Sequence, residues 1–463
     1  MCICRKYPIW LLFLVLPGFI SISCDKNSSE GNLIITEAPV TVRNDTTDSL
    51  HFIPGARIVM LDPGSKTPEL LTSRFYSACS PDISWDGSHM IFAAQEKEND
   101  TWQIWEMKLA NREFRKLTSG DANCTDPVYL PNGNFIFTKT VEKGNALFSA
   151  AANESEIRQL TFHPHNNFGT SILADGRLIT VTRQIYPEYS DPMLMVIRPD
   201  GTKGNAFYKG HIGCRFAGKV REGSDGRIYF IEGDSYAGSN NQLASISYNI
   251  PLHSFKLYSG EFTGSFRAVF PVETGKLLVS YRKNESENYS LYEFDSAAKQ
   301  LGKQLYKPDK ANVVDVAMVM QKTRPKKLPS EVDMGVKTGL LLCQDVNFTE
   351  LGLDDLPEVR SNRIEINGID SSMGIVHVAK DGSVYLKVVA DRPFQIQKLD
   401  DHGKVTVQSA WIWIRPNERR GCVGCHENPE LAPENIVPLS IKKDPVSVPV
   451  QITDIAEKEV ELE

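Results

Sequence analysis

Ser80-Pro81-Asp82-Ile83-Ser84-Trp85-Asp86-Gly87-Ser88-His89-Met90-Ile91-Phe92 sets an Asp-Gly turn ahead of a short β-rich run. The same arrangement returns at Asn132-Gly133, Asp175-Gly176, Asp225-Gly226 and Thr274-Gly275, at separations of 46, 43, 50 and 49 residues. Each turn precedes strand-forming residues, such as Phe135-Ile136-Phe137, Leu178-Ile179-Thr180-Val181, Ile228-Tyr229-Phe230 and Leu277-Leu278-Val279. Two units also end alike, in Lys116-Leu117-Thr118 and Gln159-Leu160-Thr161. Turns of this kind between strand-forming runs mark hairpins. A period near 45 residues with several strands marks propeller blades. Two stacked sandwiches are the alternative, and they lack so regular a period.

The ends of the array suit ring closure. Arg57-Ile58-Val59-Met60-Leu61 and Glu69-Leu70-Leu71-Thr72 read as the last two strands of a blade, and Val313 to Val319 as an inner strand lacking its outer ones. Pairing these segments would complete a sixth blade and remove an open sheet edge. The expected fold is all-β: a six-bladed β-propeller over residues 51–322, then a small β-sandwich-like domain at 323–421. The Pro-rich basic run Thr323-Arg324-Pro325-Lys326-Lys327-Leu328-Pro329 marks the boundary.

The second domain leads into Arg419-Arg420-Gly421-Cys422-Val423-Gly424-Cys425-His426. Cys-x-x-Cys-His is the attachment pattern of c-type haem: two thiols form thioethers to one porphyrin, and the adjacent imidazole can bind its iron. Cys422, Cys425 and His426 are therefore expected to hold one covalent haem c. Arg419 and Arg420, with Arg415, are placed to pair with its propionates. A zinc ribbon would need a second Cys/His pair, and a redox dithiol would want a thioredoxin-like βαβ setting. No other Cys-x-x-Cys occurs, and the preceding sequence reads as strands.

Residues 1–23 read as an export signal, with Arg5 and Lys6 before the apolar run Ile9 to Ile20. Ser21-Ile22-Ser23-Cys24 resembles a lipoprotein cleavage site that would leave Cys24 lipidated; simple secretion is the alternative. Residues 24–50, rich in Asn, Ser, Thr and Glu, read as a flexible tether. The expected location is outside the cytoplasm, on a lipid-anchored protein facing the periplasm or cell surface. The formal net charge of −7, two units more negative without Arg5 and Lys6, argues against nucleic acid as a partner. A redox partner protein and the membrane, through the anchor, are expected instead. Six of the nine cysteines lie beyond the signal and Cys24, few for so long an exported chain, so stability must come from apolar burial and not from a disulfide framework.

Residues 422–463 form the motif and a tail. Residues 427–463 contain no Met, His, Tyr or Cys, so a second iron ligand must come from elsewhere or the position stays open. An open iron would favour ligand chemistry over pure electron transfer. Cys79, Cys124, His165 and Cys214 precede the turns of their blades by 7, 8, 10 and 11 residues, where inner strands begin. This places them near one mouth of the channel. Cys124, Cys214 and His165, with His426, form a candidate metal set suited to zinc. The bland reading is buried thiols and a satisfied loop histidine. His377 and His402 are the competing ligands within the second domain.

Ser80-Pro81-Asp82 ahead of Trp85-Asp86-Gly87 resembles TolB-type propellers. The run from Lys380-Asp381-Gly382-Ser383-Val384-Tyr385 through Lys398-Leu399-Asp400 to Arg415-Pro416-Asn417-Glu418-Arg419-Arg420-Gly421-Cys422-Val423-Gly424-Cys425-His426-Glu427 is similar to the middle domain of the hydrazine synthase alpha subunit family. The resemblance implies a c-haem between propeller and β domain, with a zinc nearby that the motif histidine can serve in place of the iron. It also implies a downstream Tyr on the iron and a second haem. This chain has Glu430 four residues beyond His426, no following Tyr and one motif only. These departures argue against hydrazine synthesis. A haem-dependent oxidoreductase, an electron-transfer module and a propeller scaffold with a structural or sensory haem or zinc all stay open.

Overall fold

The computed structural model describes residues 31–40, 52–65, 67–151, 156–234, 241–348, 360–424, 430 and 435–450. Among them the chain is all-β, with one short 3-10 turn at Leu439–Lys442. The turn-and-strand period corresponds to four-stranded antiparallel meanders. The second blade runs Ser77–Ile83, His89–Gln95, Gln103–Lys108 and Glu113–Lys116 from axis to rim. Blades at 124–159, 165–208, 214–257 and 265–306 repeat this order. The third and fourth join in one sheet through a single parallel bridge, Asn145 to Asn166.

Local chemistry explains the turns. Asp86, Asn132, Asp175 and Asp225 each accept, through the side-chain oxygen, the N–H two residues onward at 2.9–3.1 Å. This Asx arrangement pre-forms the bend. The glycine that follows sits at φ between 72° and 90° in all four, a region closed to most side chains.

The ring is closed by a sheet assembled from both ends of the array. Ala311–Met318 is its inner strand, Leu33–Pro39 pairs antiparallel to it, and Arg57–Leu61 and Glu69–Leu70 follow outward. The six inner strands, beginning at Ser77, Cys124, His165, Cys214, Ser265 and Ala311, pack side by side in a closed cycle.

The closing sheet corrects the sequence reading. Residues 33–39 are not tether: they lie between the two segments expected to pair directly. Leu33, Ile34 and Ile35 are buried on both faces, and buried Glu37 accepts Arg57 Nε at 2.6 Å and the Tyr306 hydroxyl. A polar neighbourhood hid a seven-residue strand whose inner partner, Ala311–Met318, lies far along the chain.

The second domain is a sandwich of two four-stranded sheets. One orders Arg419–Cys422, Thr338–Cys343, Val384–Val389 and Val446–Val448; the other orders Ser372–His377, Arg363–Gly368, Phe394–Leu399 and Val405–Gln408. Leu341, Ile364, Ile366, Leu386, Val388 and Phe394 fill the space between them. Part of the segment expected as a tail belongs to this domain, because Val446–Val448 pairs in parallel with Val384–Val389. Within Lys404 to Ile414, the alternating pattern gives a strand only at Val405–Gln408, and Ile412 then bridges Phe394.

Candidate functional site

The β domain is fastened to the fourth blade by the residues leading into the haem motif. Trp413 is buried, stands with its ring 4.6 Å from that of His163, and donates its indole N–H to Gly201 O at 3.2 Å. The Glu418 carboxylate, fully buried, accepts Arg415 N at 2.7 Å and Lys203 N at 2.8 Å. Burial pushes this carboxyl above its usual range, against the pull of those donors. Arg415 pairs with Asp391 at 2.6 Å and donates to Asp200 O at 3.2 Å.

Arg420 donates to Gly204 O, to Asn205 Oδ1 at 2.6 Å and to Trp413 O at 3.4 Å. Both guanidiniums expected beside haem propionates, Arg415 and Arg420, bind protein across or beside the domain interface. A basic cluster beside a cofactor motif looks the same in sequence as a basic clamp. Arg419, one residue earlier on the strand, is exposed.

Cys422 ends that strand, half-buried, with its backbone in parallel register beside Cys343. Gln344 N donates to Cys422 O at 2.9 Å, and Asp345 N to Val423 O at 3.1 Å. A Cβ on Gly424 would stand 2.5 Å from Phe348 O, so this glycine is needed for close approach to protein. Cys425, His426 and Glu427 lie outside the described residues, as do Cys24 and the signal segment. Glu430, on the far side of the motif, accepts from Leu252 N at 2.6 Å and pairs with the His253 ring at 2.5 Å. Residues flanking the motif on both sides therefore contact the propeller, on the fourth and fifth blades. Phe207 and Tyr248 stack between those blades with ring centres 5.3 Å apart.

Three residues after Asn205 the outer strand ends at Tyr208, and the chain turns through Lys209 to Gly213 into the inner strand Cys214–Glu222. His211, Cys214 and Glu232 come together here, their ligand atoms all within 4.8 Å of one another. Cys214 opens the inner strand, Glu232 comes from the adjacent Arg227–Asp234, and His211 lies on the loop. The Cys214 thiol donates to Glu232 Oε2 at 3.7 Å. Burial raises the Glu232 carboxyl, partly offset by His211 and the thiol. Imidazole, thiolate and carboxylate are the donor types zinc takes in tetrahedral sites, and three protein ligands leave one position free.

The other expected ligands are not gathered at this point. Cys79 is fully buried at the channel, and burial, reinforced by Asp126, pushes its thiol up to about 12. Cys124 packs in the core beside Cys79 and donates to Ala122 O at 3.7 Å. His165 stacks on His163 at 3.9 Å and meets Thr182 Oγ1 at 3.0 Å. Burial lowers it to about 3, so it stays a neutral ring in the interface core. The set of Cys124, Cys214 and His165 is therefore corrected: among the described residues only Cys214 joins a three-ligand group. A shared offset from the turn puts residues at the same height, but different blades point them apart. His377 and His402 are both exposed.

His211 and Glu232 were missed. His211-Ile212-Gly213-Cys214 carries ligand-like His-x-x-Cys spacing that could have drawn attention to His211. Nothing in the sequence marks Glu232, which only strand pairing brings close.

Residues 312–427 match the family model for the hydrazine synthase alpha subunit middle domain. Hydrazine synthase subunit alpha of Kuenenia stuttgartiensis is 22% identical over 533 residues, covering 85% of this chain and 65% of that protein. The chain thus spans about 65% of the length of this curated relative. The solved Kuenenia stuttgartiensis hydrazine synthase superposes with a TM-score of 0.79 at 20% identity, over 89% of this chain and 71% of that one. TolB from Acinetobacter baumannii gives 0.46 at 14% identity, over 64% and 67%.

Proposed function

We infer, for a chain that resembles the hydrazine synthase alpha subunit in fold and carries its middle domain at residues 312–427, an exported, lipid-anchored c-type haem protein with a redox role. Cys422 and Cys425 hold the haem, and His426 serves its iron or a neighbouring metal ion. His211, Cys214 and Glu232 hold a zinc-class ion, which would supply a Lewis-acidic centre beside the fourth and fifth blades.

The observation that carries this reading is the fastening of both flanks of the motif. Arg420 on Asn205 and Glu430 on Leu252 and His253 hold the chain on either side of Cys422 to Cys425 against the propeller. A cofactor attached between such anchors belongs at the domain interface. The Cys422 thiol is half-buried and not sealed in the core, a position that fits covalent attachment. Glu430 stands four residues beyond His426, where the resemblance implies an aromatic iron ligand, and this sets the chain's site apart from that of hydrazine synthase.

The test is maturation in a host that attaches c-type haem, followed by haem staining after denaturing electrophoresis. A stained band that Cys422→Ala and Cys425→Ala abolish is expected; an unstained wild-type band overturns the reading. The buried positions of Cys214 and Glu232 favour a second reading, a propeller scaffold whose metal is structural. Reversible electrochemical reduction of the haem at constant metal content supports the redox role over that alternative.

A further inference from the structure

The inner strands share a distortion outside the site above. Ser80, Asp126, Gly169 and Gly218 adopt left-handed backbone, at φ 55°, 48°, 59° and 74°, each where register with the next strand slips. Such bulges turn backbone out of the ladder, here toward the propeller axis. They line a small central cavity of about 40 Å3 that is partly open to solvent. Thr36, Cys79, Lys219, Arg267 and Asp315 complete its polar wall.

Two groups in this wall lack the partner their chemistry requires. Lys219 is 8% exposed and reaches from the fifth blade toward the second and third. Its ammonium meets only backbone carbonyls, Ser80 O and Pro81 O at 3.4 Å and Pro127 O at 3.5 Å. These distances are long for N–H···O bonds. No carboxylate of the described residues pairs with it. Thr36 is fully buried, and its hydroxyl has no hydrogen-bond partner.

The carboxylates in the wall, by contrast, are engaged. Asp126 accepts the Ser80 hydroxyl at 2.8 Å and Gly169 N at 3.3 Å. Asp315 accepts Val316 N at 2.8 Å and Arg221 at 3.4 Å. Within the wall Lys219 and Arg267 stand against Asp126 and Asp315, and Lys219 also acts electrostatically on buried Asp82. A buried ammonium held only by long carbonyl contacts is under-satisfied, and a buried hydroxyl without a bond adds to that cost.

We propose that the central cavity of the propeller binds one small monovalent anion, of halide to acetate size, at Lys219 Nζ and the Thr36 hydroxyl. One such ion gives the ammonium a close acceptor and accepts the Thr36 hydroxyl proton in a hydrogen bond. The site is independent of the haem and of the His211–Cys214–Glu232 group.

The test uses the haem-loaded mature protein in sodium gluconate, an anion too bulky for the cavity. Gluconate is exchanged for bromide or acetate at constant ionic strength while the melting temperature is followed. Saturable stabilisation by the small anions is expected, since a ligand that binds only the folded state raises stability with its concentration. Lys219→Met should abolish the response, and Thr36→Val should weaken the apparent affinity at least fivefold. If Lys219→Met does not fold, Thr36→Val decides alone, because it removes a hydroxyl that has no protein partner. A melting temperature unchanged by bromide and acetate overturns the proposal, as does an identical response in wild type and Thr36→Val.

Discussion

Arg420 and Asn205 stand 215 residues apart in the chain and meet at 2.6 Å, guanidinium to side-chain amide oxygen. This bond, with those to Gly204 O and Trp413 O, holds the strand that ends in Cys422 against the fourth blade.

Arg420→Met keeps the aliphatic stem and removes every donor. Charge-assisted buried hydrogen bonds contribute roughly 1.5–3 kcal/mol each, and their loss leaves Gly204 O unpartnered. The variant should lose about 2–3 kcal/mol of stability in urea denaturation, on that scale. Proteolysis should begin earlier in the 319–337 connection. Unchanged values on both measures would show that the clamp does not hold the domains.

The group at His211, Cys214 and Glu232 should retain one zinc ion per chain after incubation with zinc and desalting, measured by elemental analysis. Cys214→Ser and Glu232→Gln should each reduce that content to near zero. Cys124→Ser and His165→Gln should leave it unchanged, because neither residue belongs to the group. Equal zinc retention in the Cys214 and Cys124 variants would refute the assignment.

Ile35, fully buried in the closing sheet, should be among the most sensitive positions outside the repeats. Ile35→Ala should cost about 2–5 kcal/mol, the range for truncating a core aliphatic side chain. Deleting residues 24–40 should bare the edges of Ala311–Met318 and Arg57–Leu61 and promote association. A deletion variant that remains monomeric by light scattering and melts as wild type would contradict ring closure through this strand.

Acid should act first at the domain interface. His163 is held well below its usual value by burial and by His165, and burial lowers His165 from 6.5 to about 3. Above pH 6.5 both rings are neutral folded or unfolded, and stability is insensitive to them. As pH falls from 6.5 toward 3, the unfolded chain takes up protons that the folded chain refuses. Stability then falls by about 1.4 kcal/mol per pH unit for His165 alone. His165→Gln should flatten this slope between pH 6 and pH 4 by about that amount, measured by urea denaturation. An unaltered slope would mean that His165 titrates normally in the folded protein.

Cys24→Ala should move the protein from the membrane fraction to the soluble fraction of cells that process lipoproteins. Sedimentation identical to wild type would count against a lipid anchor.

The repeat of Asx-Gly turns was enough to read the propeller, because a hairpin is a local object. Its turn residues, flanking strand formers and spacing all lie within one stretch of chain. The same holds for the strands of the second domain. Leu33–Pro39 was not legible, because seven residues in a polar neighbourhood become a strand only when both partners arrive, one of them about 280 residues away. The site shows the same division. Cys214 could be singled out from its place before a turn, but Glu232 joins it only through strand pairing. Arg420 has one composition and two plausible uses, cofactor or clamp. Only docking of the sandwich on the fourth blade reveals the clamp, since a guanidinium satisfies whichever acceptors the fold brings within reach.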